Sequence, residues 1–288
     1  MMISRMDKRI GALAVKALLY EVAATPKPGL VDRVDTGAHD DMDYYTFMDS
    51  ASVLGPYFTT CASYGLDDHR DDEMLNLLKP KGMLAEKEMF RSTNGINTHK
   101  GLIYALGLVS CAAAAVLKDG YREDWVDQVG EKVHRYVKEK NELGMVELKE
   151  SETYGGRQYR KYGLLGARGE ALSGYYHARV VGYGALNEAI TESRLNINDA
   201  MLVALLKIIT SLSDSNVIGR HNQETLNQSQ KMAMEVIESG HLTTDAGRER
   251  YDAYIKWSKS NRVSHGGAAD LLAVSVFFYF IDQDKNDF

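Results

Sequence analysis

Apolar residues recur at three- and four-residue spacing along most of this chain, the period of a helix that buries one face. In 10–24 the stripe runs through Leu13, Ala17, Leu18 and Val22. The same period returns in 102–117, 125–140, 200–212, 223–239, 246–258 and 268–281. Thr98, Asn198 and Thr244 stand just ahead of three of these runs, where a side-chain oxygen can cap a first turn. All four prolines, Pro26, Pro28, Pro56 and Pro80, lie in the N-terminal part, so the strongest helix breaker is missing from everything beyond. Strand-like alternation closed by tight turns is scarce, and Asn94-Gly95 leads into a helix, not a second strand. The pattern predicts an all-α fold, with residues 1–288 as a single compact multi-helix domain and ligand-binding loops at helix termini.

Composition narrows the function. With 288 residues and 44% hydrophobic content the chain can bury a substantial core. A net charge of −6 offers no basic field for a duplex, so nucleic acid is not an expected partner. An anionic ligand would need locally placed Lys, Arg and helix N-termini. Cys61 and Cys111 lie far apart without CxxC spacing, and the charged start of the chain does not resemble a secretory leader. A reducing, cytoplasmic setting is expected. The apolar run 102–117 falls short of the roughly 20 residues a bilayer span needs and is bounded by Lys100 and Lys118, so it reads as a core helix and no membrane is expected.

The glycines are more informative, because many gather in polar clusters between helices. Four stand out: 25–33 (TPKPGLVDR), 92–101 (STNGINTHKG), 166–171 (GARGEA) and 264–270 (SHGGAAD). Glycine allows close backbone approach, and the helix turn that follows offers unpaired N–H groups suited to phosphate oxygens. Lys27, Arg33, Lys100 and Arg168 would add positive charge there. Neither GxxxxGK[ST] nor a strand-borne GxGxxG is present, so this is not a familiar nucleotide fold. Asp32, Asp35, Asp40, Asp41 and Asp43 surround His39, and Glu170, Asp214 and Asp270 add carboxylates from elsewhere. Oxygen donors without thiolates suit Mg²⁺, which takes one or two carboxylates plus substrate phosphates. A Mg-dependent nucleotide phosphohydrolase is the competing reading, although the histidines lack the paired spacing of a transition-metal site. Ordinary roles compete at each position: Asp270 can stabilise a helix N-terminus, His99 can cap a turn, and Phe277-Phe278-Tyr279-Phe280 reads as core.

The segments also occur in a recognisable order. ATPKPGLVD within 21–32, GAHDDMD at 37–43, STNGINTHKG at 92–101, YGLLGARGEA at 162–171, DSNVI at 214–218 and GGAADLLAV at 266–274 together resemble the triphosphoribosyl-dephospho-coenzyme A synthase family. Two local departures are His221-Asn222-Gln223 after Arg220, where the family usually carries small residues, and His265 where proline is frequent. The resemblance implies transfer of the triphosphoribosyl group of ATP to the 2′-hydroxyl of 3′-dephospho-coenzyme A, with release of adenine. The product would serve a downstream transferase and the acyl carrier subunit of citrate lyase, or alternatively malonate decarboxylase. On residue type, the expected catalytic groups are Asp32 or Glu170 as base, with His99. Lys27, Arg33, Asn94, Asn97, Lys100, Arg168 and Arg220 are expected to bind substrate, and Asp43, Asp214 and Asp270 to hold Mg²⁺ on the triphosphate.

Overall fold

Each periodic stretch is helical in the structure, a computed structural model that describes residues 5–150 and 154–288, the side chains of 139–150 and 154 excepted. The helices are α1 (Arg5–Ala23), α2 (Tyr44–Leu66), α3 (Asp71–Ser92), α4 (Lys100–Leu117), α5 (Trp125–Glu150), α6 (Tyr154–Tyr162) and α7 (Ala167–Leu172). After a π-helical turn at His177–Gly182 come α8 (Tyr183–Thr191), α9 (Ile197–Ser211), α10 (Ser215–Arg220), α11 (Gln223–Glu238), α12 (Asp245–Ser260) and α13 (Gly266–Gln283). Among the described residues there is no strand.

Two helices organise the rest. α4 and α13 are apolar nearly all round, as helices buried on every side must be. α4 is apolar and long enough to cross a membrane by length and composition alone, yet 72% of it is buried inside the protein, so its apolarity is that of a core helix. α4 packs on α2 and α5, and α13 packs on α1, α9, α8 and α4, which joins the N-terminal and C-terminal helices through one continuous core. Phe277, Phe278 and Phe280 sit in that core as expected. A smaller cluster of Val217, Ile218, Leu226 and Val263 lies under α10 and the α12–α13 turn.

The local signals need correction at three places. Pro56 and Pro80 lie inside α2 and α3, two helices that the periodic runs named above did not include. An internal proline costs about 3 kcal/mol. The face of α2 that buries Leu54, Phe58 and Cys61 returns about 1.5–3 kcal/mol for each large apolar side chain, so packing overrides the breaker. Asn196, not Asn198, caps α9 by accepting from Asp199 N, and Asn198 instead pairs with both backbone groups of Thr25. Thr98 does not cap α4 but donates to Ser50 Oγ, whereas Thr244 caps α12 as expected.

Glycine lets α2 and α4 touch backbone to backbone: a Cβ built on Gly65 would lie 2.0 Å from the Cys111 carbonyl oxygen. Gly184, exposed on α8, has nothing within 4 Å of such a Cβ. Gly65→Ala should therefore lower unfolding stability by about 1–3 kcal/mol through overpacking. Gly184→Ala should raise it by about 0.5–1 kcal/mol through helix propensity. Urea denaturation of both variants checks the pair of signs.

Candidate active site

The end of α1 carries a charge where its pattern calls for an apolar residue. Glu21 follows Ala17 and Leu18 on the buried stripe and is itself buried. Its partner is Lys27, whose Nζ donates to Glu21 Oε1 at 2.5 Å and to the Glu21 carbonyl at 2.8 Å. Burial pushes the Glu21 carboxyl up from its usual range, and the Lys27 charge pulls the other way. The Lys27 backbone N donates to Asp32 Oδ2 at 2.7 Å, while Asp32 Oδ1 accepts from Val34 N and Asp35 N at 2.8 and 3.0 Å. One carboxylate thus organises the whole turn after the two prolines.

That turn is seated on the junction of α12 and α13. Tyr251 Oη donates to the Pro26 carbonyl, Lys259 pairs with Asp35, Arg262 pairs with Asp40, and His39 Nε2 lies 3.0 Å from Ser264 Oγ. Gly29, at φ 67°, brings its backbone so close to the Val263 carbonyl that a Cβ would lie 1.8 Å from the oxygen.

Two aspartates meet at the start of α13. Asp214 caps two helices at once, its Oδ1 accepting from Asn216 N in α10 at 2.8 Å and its Oδ2 from Ala268 N in α13 at 3.1 Å. His265 Nδ1 lies 3.7 Å from the same Oδ2, and its Nε2 bonds Ser229 Oγ, which in turn bonds Tyr254 Oη, both at 2.7 Å. Asp270, one turn into α13, faces the start of α4. A Cβ on Gly101 would fall 1.9 Å from Asp270 Oδ2, so only glycine leaves room for this carboxylate. Asp270 keeps some access to solvent, yet burial holds its carboxyl well above the usual range, and Glu21 and Asp214 push it further the same way. It accepts no hydrogen bond from the described residues.

His99 closes this side. It is fully buried, and burial together with the nearby Lys27 charge lowers its imidazole to about 3, so the ring is neutral. Ser50 Oγ accepts from Thr98 Oγ1 and lies 2.6 Å from His99 Nδ1, so the ring is held through that nitrogen. The other, Nε2, is buried without a partner.

The opposite side is built by α7. Glu170 Oε1 is 2.7 Å from His177 Nδ1 on the π-helical turn, and this hydrogen bond raises the His177 imidazole from its ordinary range. Glu170 Oε2 is buried without a partner. Tyr104 on α4 has its phenol pushed up to about 12 by burial, with Arg168 pulling it down. Tyr175 is buried within electrostatic reach of Tyr104, Glu170 and Asp270.

The structure therefore brings Lys27, Asp32, His99, Arg168, Glu170, Asp214 and Asp270 around one junction of helix ends, although with altered duties. Lys27 is locked on Glu21 and does not present its ammonium to a ligand, and the Asp32 oxygens are given to backbone N–H groups. Asp43 is elsewhere, as the exposed cap of α2, where its carboxylate forms a reciprocal box with Thr46. The three carboxylates expected to share a metal are thus not one group, and among the described residues no three His, Cys, Asp or Glu are placed to hold an ion. Arg33, Asn94, Asn97, Lys100 and Arg220 are exposed; Asn97 accepts from Lys100 N, Lys100 pairs with Glu86, and the Arg220 charge acts on His39. A surface recess of about 290 Å³ lies away from this junction beside Asp67–Asp71, and one of about 350 Å³ lies between α5 and the end of α7, lined by Gly130, His134, Leu172, Ser173 and Arg179. The polar chemistry, not the depth of a groove, identifies the site. Sequence reasoning missed Glu21, Tyr104, Tyr175 and His177. For Glu21 a signal existed, namely a charge on an otherwise apolar helix face.

Residues 7–287 match the profile of a family described as ATP:dephospho-CoA triphosphoribosyl transferase. The chain is 34% identical over 285 residues to a protein of Vibrio cholerae serotype O1 named "Probable 2-(5''-triphosphoribosyl)-3'-dephosphocoenzyme-A synthase", covering 96% of this chain and 90% of that one. A Streptococcus mutans protein of the same name is 34% identical over 291 residues, covering 94% and 95%. No solved structure matches this chain.

Removing one member of a buried ion pair leaves the other uncompensated, at about 3–5 kcal/mol, whereas replacing both with apolar side chains is close to neutral. Lys27→Met should therefore lose about that much stability, and Glu21→Met/Lys27→Met should recover most of it. Chemical denaturation of the single and double variants measures the difference; equal losses would mean that the pair is not buried as described.

Proposed function

This chain belongs to the ATP:dephospho-CoA triphosphoribosyl transferase family, and from that premise we propose that it transfers the triphosphoribosyl group of ATP to the 2′-hydroxyl of 3′-dephospho-coenzyme A, releasing adenine. The observation that carries the reading is the carboxyl of Asp270, set between the glycine-rich starts of α4 and α13 and accepting no hydrogen bond from the described residues. Breaking a bond between a sugar and a base passes through a cationic, oxocarbenium-like state, which a fixed carboxylate stabilises.

The residues divide the work as follows. Glu170, pinned through Oε1 by His177, takes the proton of the attacking hydroxyl on Oε2. Asp32 is no longer the favoured base, because its oxygens hold the loop. His99 Nε2, buried without a partner, serves as a hydrogen-bonding contact to substrate. Arg168, with the exposed Arg33, Lys100 and Arg220, supplies positive charge for two polyanionic substrates.

Mg²⁺ fits this site at one protein ligand. The carboxyl of Asp270 has no hydrogen-bond donor among the described residues and is crowded by Glu21 and Asp214, a charge imbalance that a divalent ion relieves. Asp214 retains lone pairs beside its two capping bonds, and Asp43 lies apart. Bound mainly by the triphosphate, the ion would neutralise phosphate charge. The product is proposed to feed a downstream transferase and the acyl carrier subunit of citrate lyase, in the cytoplasm, where the two buried free cysteines stay reduced.

Mass spectrometry of the purified chain incubated with ATP, Mg²⁺ and dephospho-coenzyme A should detect the triphosphoribosyl adduct. Asp270→Asn should lower kcat by about 100-fold or more, the range for losing one electrostatic stabiliser. Hydrolysis of ATP to phosphate without the adduct would point to a nucleotide phosphohydrolase and overturn the proposal.

A further inference from the structure

We propose that Tyr175 is a substrate contact, its phenol and the free oxygen of Glu170 together taking the attacking hydroxyl of the acceptor. The inference rests on the reading of Glu170 as base.

It starts from the backbone. α7 ends in a paired turn in which Gly174 N donates to the Ala171 carbonyl at 3.1 Å and Tyr175 N to the Glu170 carbonyl at 2.6 Å. Gly174, at φ 64°, occupies the left-handed position that such an ending requires, and it packs on Gly130 so closely that a Cβ would lie 2.5 Å from the Gly130 oxygen. The ending needs no second left-handed residue. Tyr175 nevertheless follows at φ 56°, a strained conformation that is rare for a bulky side chain. The strained backbone delivers a buried ring whose hydroxyl has no partner. An unpaired buried hydroxyl is a second cost, because its desolvation is not offset. Two penalties at one residue, next to a π-helical turn, mark the kind of place where a fold retains strain for function.

The neighbour completes the pattern. Glu170 Oε2 is also buried without a partner, and Oε1 is occupied by His177. Burial keeps the Tyr175 phenol protonated, well above its ordinary range, with Glu170 and Asp270 adding to the effect. An orphan donor and an orphan acceptor within electrostatic reach of one another suit a ligand group that both accepts and donates, which is a hydroxyl. Both atoms are shut from solvent. This junction must therefore open locally for the hydroxyl to enter.

The step balances. The acceptor oxygen forms a bond to the anomeric carbon of ATP while the bond from that carbon to adenine breaks. The bonding pair leaves with adenine. The hydroxyl proton passes to Glu170 Oε2, and adenine takes up a proton from water, which returns the carboxylate to its ionised form in the next exchange.

Tyr175→Phe removes one oxygen and nothing else. In the full chain it should lower kcat/KM for dephospho-coenzyme A about tenfold, the worth of one neutral hydrogen bond at the upper end of its range. The Tm should stay level or rise, because an unpaired buried hydroxyl is gone. Wild type should bind dephospho-coenzyme A more tightly than its 2′-deoxy analogue, used as an inhibitor, and Tyr175→Phe should reduce that preference about fivefold or more. An unchanged kcat/KM and unchanged preference would overturn the proposal. So would a lowered Tm with activity that merely follows the folded fraction, since the hydroxyl would then be structural. Glu170→Gln is measured alongside. A full rate there with an impaired Tyr175→Phe keeps the contact and removes Glu170 as base, whereas full rates in both overturn both.

Discussion

The buried ammonium of Lys27 and the carboxylate of Glu21 are the interaction on which the rest of the site depends. Neither charge could enter this interior alone, because desolvating an isolated ion costs several kcal/mol even after relaxation. Paired, they fix the end of α1 to the loop that follows. The Lys27 backbone then holds Asp32, Asp32 holds the turn through residue 35, and that turn sits on the start of α13 through Gly29, His39 and Lys259. The pair also leaves a charge imbalance beside it. Glu21 and Asp214 both raise the Asp270 carboxyl, and Lys27 acts on His99, so the ion pair sets the electrostatic character of the junction as well as its shape.

Stability and chemistry are drawn from different parts of the molecule. α4 and α13 supply the apolar burial, and their starts supply the functional groups. Gly101 and Asp270 show the coupling: the first turn of one core helix is hollowed to admit a carboxylate from the first turn of the other. Polar groups at the site are left unsatisfied where a purely structural protein would pair them. His99 Nε2, Glu170 Oε2 and the Tyr175 hydroxyl are all buried without partners and lie around one junction. Each unpaired buried polar atom here is a cost that binding can offset.

Much of this was legible in the sequence. Helical period and the ordering of the motifs identified the all-α class and the family, and each of the four glycine clusters does lie at a helix boundary. What escaped was decided by tertiary contact. Pro56 and Pro80 sit within helices because the buried faces of α2 and α3 outweigh a missing N–H. Asn198 carries a capping residue's chemistry but spends it on Thr25 across the fold. Residue type singled out Asp270 and Glu170 as candidates, yet it could not distinguish Lys27 with its charge sealed inside from Lys100 with its charge at the surface. Tyr175 and His177 carry no local signal at all, since their importance lies in a left-handed backbone and in a contact with Glu170 that only the folded chain makes.

The central claim is that this junction breaks the bond between sugar and base while leaving the triphosphate whole. Supplying ATP labelled on its γ-phosphate together with dephospho-coenzyme A tests it directly. The account requires the label to appear in the coenzyme product in equal amount to free adenine. Label released as phosphate or pyrophosphate, with adenine still attached to its ribose, would contradict it.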